Sequence, residues 1–150
     1  MDVKKNIGRE ELVAILKSVS ANKIDSGQAA DFLDFVINAM HFYPDEDYLS
    51  RPADDIFFNI YGLFNFARNT AGKESATQAR VKAFNPQPEV DGWGSPNTII
   101  YINQRDMPFL VDSLRMALNR RGLNIFTLQS NPVWVVRDAS GQLTASHNTY

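Results

Sequence analysis

NTIIYINQRDMPFLVDSLRMALNRRGLNIFTLQ, residues 97–129, reads as strand, helix, strand. Residues 97–102 are rich in β-branched and aromatic side chains, Asp106 and Pro108 are helix-start signals, and Arg120, Arg121 and Gly122 form a helix stop. A helix of about 15 residues is expected between them. Along it Leu110, Val111, Leu114, Ala117 and Leu118 recur at helical spacing and share a face, while Asp112, Arg115 and Asn119 point elsewhere. Such a face needs a sheet to cover it. A helix of that length spans ~22 Å, close to the ~23 Å of a seven-residue strand, so the lengths suit helix-on-sheet packing. The flanking strands are expected as parallel or next-but-one neighbours in one sheet.

Towards the C-terminus, 123–129 and 133–137 read as two strands, and the turn signal at 138–141 precedes a further short strand from Leu143. Towards the N-terminus, the loop PQPEVDGWGSPN (86–97) holds three prolines and two glycines and reads as irregular, with Trp93 folding back as an anchor. Before it Ala79, Val81 and Ala83 alternate with Arg80 and Lys82, the pattern of a half-buried strand ending at Pro86.

The first half has a different period. Leu12, Ile15, Leu16 and Val19 form one helical face; Ala29, Ala30, Leu33, Val36, Ile37 and Met40 form a second, capped by Asp25 or Ser26. A third helix opens after Ser50 and Pro52, with Asp54 and Asp55 in its first turn and Ile56 or Phe57, Ile60, Leu63, Phe64 and Ala67 on its face. Small polar residues at 69–76 mark the change of period. The expected organisation is a helical segment, 1–74, followed by an α/β domain, 75–150.

Composition narrows the function. With 44% apolar and 21% charged residues and a net charge of −2, the chain reads as a soluble globular protein without a basic field for nucleic acid. It has no cysteine, which excludes disulfides, zinc thiolates and a thiol nucleophile and suits a cytoplasmic location. The first residues lack a signal-peptide core, and the most apolar stretch, 56–67, is too short and too polar to span a bilayer. No membrane partner is expected.

No catalytic motif emerges. His41 and His147 sit in unlike contexts and read as structural or surface residues. Asp45, Glu46 and Asp47 lack the alternating ligand pattern of a calcium loop, and Gly92 and Gly94 lack phosphate-loop spacing, so no metal or nucleotide site is expected within the chain. One place has the geometry of a ligand site. The turn 104–109 joins a strand end to a helix N-terminus, where free backbone N–H groups receive a carboxylate. Asn124 follows the helix and would approach it in some arrangements. The competing structural reading makes Asp106 the cap of the helix.

These residues also carry a resemblance. RDMPFLVDSLRMALNRRGLNIFTL (105–128) resembles the first βαβ half of the ACT fold, a ferredoxin-like βαββαβ module. More specifically, DMPFLVDSLRMALNRRGL, the preceding GWGSPNT and the later NPVWVVRDASGQL look like the N-terminal region of the large bacterial NAD-specific glutamate dehydrogenases. The upstream YPDEDYLSRPADDIFFNIYGLFNFARN is similar to that family's helical lead-in, so the resemblance covers about 44–143. It implies an α+β chain: N-terminal helices, then an ACT-like sheet left incomplete within these residues. It implies a regulatory or assembly domain, without a cofactor or catalytic residue of its own. The NAD-dependent conversion of glutamate to 2-oxoglutarate and ammonia would occur in the rest of the parent enzyme. Expected partners are that remainder, further copies in a homo-oligomer, and an amino-acid effector held by Asp106, Met107, Pro108, Phe109 and Asn124. The alternative is a free-standing amino-acid sensor of ACT type. Amino-acid-binding ACT modules commonly carry Gly directly after the proline of this turn, and Phe109 stands there in this chain.

Overall fold

The computed structural model describes residues 3–40, 44–69 and 78–148. His41 and most of the polar stretch between the two halves lie outside the described residues. The element order is α1 (Val3–Lys23), α2 (Ser26–Ala39), α3 (Glu46–Leu49), α4 (Ala53–Arg68), β1 (Arg80–Phe84), α5 (Pro88–Asp91), β2 (Ile99–Asn103), α6 (Leu110–Arg120), β3 (Val133–Arg137) and β4 (Leu143–Asn148). Among the described residues this is an α+β fold with two antiparallel two-stranded sheets, β1–β2 and β3–β4. No described helix is long and apolar enough to cross a membrane.

The helices form where the apolar spacing and caps direct. Asp25 is the cap of α2, its carboxylate accepting from the Gln28 backbone N–H at 2.9 Å. Asp45 caps α3 in the same way through the Tyr48 N–H at 2.8 Å. Ser50 does not cap α4; it closes the end of α3, and Pro52 leads into α4 without a side-chain cap. The faces of α1, α2 and α4 then meet. Phe32 lies edge-on to Phe57, Tyr61 and Phe64, each ring centroid 5.5 Å away, and Leu12, Leu16, Val36, Ile56 and Ile60 close around this cluster. Of the thirteen hydrophobic residues buried among those described, eleven belong to this helical half.

The end of α4 is where both sheets attach. Its last carbonyls have no partner within the helix. Arg80 donates to the Phe66 carbonyl at 3.0 Å, Asn103 to that of Ala67 at 3.5 Å, and Arg137 to those of Ala67 and Arg68 at 3.0 and 3.4 Å. One helix terminus therefore positions β1, β2 and β3. Val133 and Leu143 also pack on the helical core.

The β1–β2 sheet presents the face opposite to the one expected. Tyr101, opposite Lys82 in the ladder, is buried and donates its hydroxyl to the Asn59 carbonyl at 3.0 Å, with Phe84 edge-on to it at 5.1 Å. Gly62 leaves room for this ring: a Cβ there would lie 3.1 Å from the Tyr101 hydroxyl. Val81 and Ile100 consequently face outward, 63% and 43% exposed. Burying two aromatic rings removes more apolar area than burying Val81 and two alanines, so the aromatic face turns inward.

Burial fixes how this region responds to alkali. The Tyr48 hydroxyl is pushed up to about 12 by burial, with Arg51 pulling weakly the other way, and Tyr101 is raised by burial with Asp91 adding to it. The folded state therefore holds both phenolic protons more tightly than the unfolded chain does. The stability they contribute is intact below about pH 10, the unfolded value, and is lost as pH rises through about 12. An absorbance titration of tyrosinate is expected to show these two residues ionising together with loss of helical circular dichroism. Complete ionisation near pH 10 in a folded chain would contradict it.

Around the region that decides the fold, the structure departs from expectation. α6 has 11 residues, shorter than expected, because the chain beyond Pro108 turns through a left-handed Phe109 before it can coil. It ends as expected, with Gly122 at φ 69°, the Leu123 N–H on the Leu118 carbonyl and the Gly122 N–H on that of Asn119. None of its residues is buried. Residues 123–129 form no strand, and β2 and β3 lie in different sheets, so the expected crossover within one sheet is absent among the described residues. The loop after β1 holds one regular turn, α5, which ends in the left-handed Gly92 and buries Trp93 to 3% exposure.

Candidate functional site

The turn 104–109 is built by β2 and α6. Asp106, Met107, Pro108 and Phe109 are all exposed, Phe109 at 77%. The cap position of α6 belongs to Phe109, at φ 61° and ψ 14°, with no side-chain cap bond. Asp106 therefore does not cap the helix, and it makes no hydrogen bond or ion pair among the described residues. The backbone N–H groups of 110–112 make no backbone hydrogen bond among the described residues, and the exposed Phe109 side chain stands beside them.

Phe109 is the one non-glycine residue with positive φ among those described. A bulky side chain is an outlier there. The backbone thus holds a glycine conformation at the position where amino-acid-binding ACT modules commonly place glycine. Relieving ~1–2 kcal/mol of left-handed strain, less ~0.5–1 kcal/mol for the added freedom of glycine, Phe109→Gly is expected to raise stability by about 0.5–1 kcal/mol. A denaturant titration reads this directly; a loss of stability would mean that the ring makes contacts outweighing its strain.

Asn124 lines a different feature. With Arg115 and Asn119 of α6 and residues 125–128 it borders an open cleft of about 490 Å³, and none of 106–109 borders it. A second cleft, about 330 Å³, lies between α2, α4 and β4, lined in part by Asp31, Asp34, Asn38, Arg68 and His147. The guanidinium of Arg68 sits over the Phe64 ring at 5.7 Å. Sequence reasoning missed this cleft because its walls come from segments more than a hundred residues apart, and no local pattern signals such a meeting. His147 is exposed at its edge. No group of three or more His, Cys, Asp or Glu residues able to hold a metal occurs among the described residues.

Across the two halves the surface is uneven. Of the twelve large hydrophobic residues that are exposed among those described, eleven lie in β1 or after it, among them Phe109, Phe126 and Trp134 at 77%, 78% and 70%.

Comparison with known proteins agrees with the sequence motifs. The model of the family "Glutamate dehydrogenase, ACT1 domain" matches residues 35–149. The chain is similar to the NAD-specific glutamate dehydrogenase of Pseudomonas aeruginosa, 50% identical over 66 residues, which is 44% of this chain and 4% of that protein. It is also similar to the NAD-specific glutamate dehydrogenase of Halomonas elongata, 31% identical over 135 residues, 90% of this chain and 8% of that protein. The chain thus spans less than a tenth of the length of these curated relatives. No solved structure matches it. With the ACT1 family model covering most of the chain and the DMPFLVDS and NRRGL motifs within it, the chain belongs to the glutamate dehydrogenase ACT1 domain family, from the N-terminal region of the NAD-specific glutamate dehydrogenases.

Proposed function

We propose that this chain is a non-catalytic regulatory and assembly domain of a large NAD-specific glutamate dehydrogenase, the parent enzyme converting glutamate, NAD and water to 2-oxoglutarate, ammonia and NADH. The observation that carries this reading is the ACT1 match over 35–149 in a chain less than a tenth the length of its relatives. NAD binds in the remainder of that enzyme, in the cytoplasm. Assembly is favoured over amino-acid sensing by the ligand turn itself, where Phe109 occupies the place of a glycine and 106–109 border neither cleft. The open sheet edges and the exposed apolar surface suit a homo-oligomer.

Thermal unfolding against a panel of amino acids, 2-oxoglutarate and NAD tests this. A ligand at a hundred times its dissociation constant adds ~2.7 kcal/mol, a shift of several degrees in a chain of this size. The assembly reading predicts no shift with any of them. A shift with one amino acid would overturn it in favour of a sensor.

A further inference from the structure

The end of α6 carries more positive charge than closing the helix requires. Arg120 and Arg121 are both exposed, and neither makes an ion pair among the described residues. Arg121 donates one guanidinium N–H to the Ala117 carbonyl at 3.1 Å, and Gly122 supplies the left-handed turn. The helix dipole favours one cation here, but no contact within the helix uses the second arginine. The carbonyls of 120 and 121 accept no backbone hydrogen bond among the described residues. The end of α6 is thus a dipolar tip, two cationic side chains beside unpaired carbonyl oxygens.

The cleft between α2, α4 and β4 is its counterpart in charge. Asp31 and Asp34, one turn apart on α2, are exposed and make no ion pair among the described residues, and α2 itself has no basic residue. Across the cleft Arg68 is held over the Phe64 ring at 5.7 Å and pairs with neither carboxylate. Opposite charges that share a cleft of about 330 Å³ and stay apart leave room for a group that bridges them. Such a group needs cations for the two carboxylates and an acceptor for Arg68. The α6 tip has both: guanidinium groups suited to carboxylates, and free carbonyls that an arginine can reach as Arg80 and Arg137 reach the end of α4. Apolar residues stand beside each surface, Ile37 one turn beyond Asp34 at 46% exposure and Leu123 beyond Arg121 at 51%.

We propose that this cleft is a docking site for the α6 tip of a second copy of the chain, with Arg120 and Arg121 on Asp31 and Asp34 and the carbonyls of the tip towards Arg68. This rests on the reading of the chain as an assembly domain and names the surfaces that meet. A small cation would satisfy the carboxylates but leave Arg68 without an acceptor. Each copy offers one cleft and one tip, so the contact is reciprocal in a dimer or repeats around a closed ring.

Charge reversal tests this, with the mass in solution of the 150-residue chain read by light scattering. The unmutated chain is expected to self-associate. Asp31→Arg with Asp34→Arg, and separately Arg120→Glu with Arg121→Glu, are each expected to weaken that association about 100-fold or more, because like charges then face one another. An equimolar mixture of the two variants is expected to recover the unmutated mass, since every cleft again meets a tip of opposite charge. All four positions are exposed, so both variants should keep their helical circular dichroism. Arg120→Gln with Arg121→Gln removes the charge without placing acid at a helix C-terminus, and is expected to weaken association as well. Association that survives the reversals, or a mixture that stays monomeric while the unmutated chain assembles, overturns the contact between tip and cleft and leaves the homo-oligomer reading standing. An unmutated chain that is monomeric overturns both.

Discussion

Phe32→Ala is expected to remove about 3–5 kcal/mol of stability. The ring is fully buried and lies edge-on to three others, Phe57, Tyr61 and Phe64, supplied by the facing helix α4. Its removal deletes a transfer contribution and leaves a cavity walled by rigid aromatics that cannot collapse into it. Against a total of about 5–15 kcal/mol for a typical domain, that is a large fraction. The melting temperature should fall by about 10 °C or more. Because the end of α4, which faces Phe32, anchors both sheets, helical and aromatic circular dichroism should be lost in one transition. A decrease below about 1 kcal/mol would mean that the helical core is not where the stability resides.

Gly92→Ala is the second large effect, from backbone rather than volume. Gly92 has φ 78°, and a Cβ there would come within 2.6, 2.7 and 2.9 Å of three Phe58 ring atoms. Left-handed strain of ~1–2 kcal/mol adds to overpacking of ~1–3 kcal/mol, giving about 2–5 kcal/mol in all. The ring cannot swing away freely, since it packs edge-on to the buried Phe57 at 5.2 Å. Gly94→Ala is the control two residues on: its Cβ would meet only the Pro88 ring, at 3.4 Å or more. The denaturant midpoints of the two variants should differ clearly. Equal midpoints would refute the close approach of this loop to α4.

What was legible in the sequence was what local chemistry decides. Apolar spacing and the Asp25 cap delimit α2, Trp93 between two glycines anchors its loop, and Gly122 closes α6 in the left-handed conformation that only glycine adopts cheaply. The DMPFLVDS and NRRGL motifs identified the family. What was not legible depends on partners distant in the chain. The alternation of Val81 with Lys82 pointed to one buried face of β1, but Tyr101 and Asn59 meet across 42 residues and turn the other face inward. Residues 123–129 have strand composition, yet composition cannot supply the neighbour that a strand needs. Phe109 was visible as a departure from glycine; its left-handed backbone was not, because nothing in the residue type predicts it. The cleft between α2, α4 and β4 depends wholly on tertiary packing.

The central claim is a division of labour: helices α1, α2 and α4 carry the stability, while most of the exposed apolar surface, proposed for assembly, belongs to the ACT-like half. Native-state hydrogen exchange on the 150-residue chain tests this most directly. The slowest amides are predicted in α2 and α4, exchanging only through global unfolding, with α6 and 123–132 opening locally and exchanging orders of magnitude faster. Amides of α6 as slow as those of α4 would contradict the account, since no residue of α6 is buried.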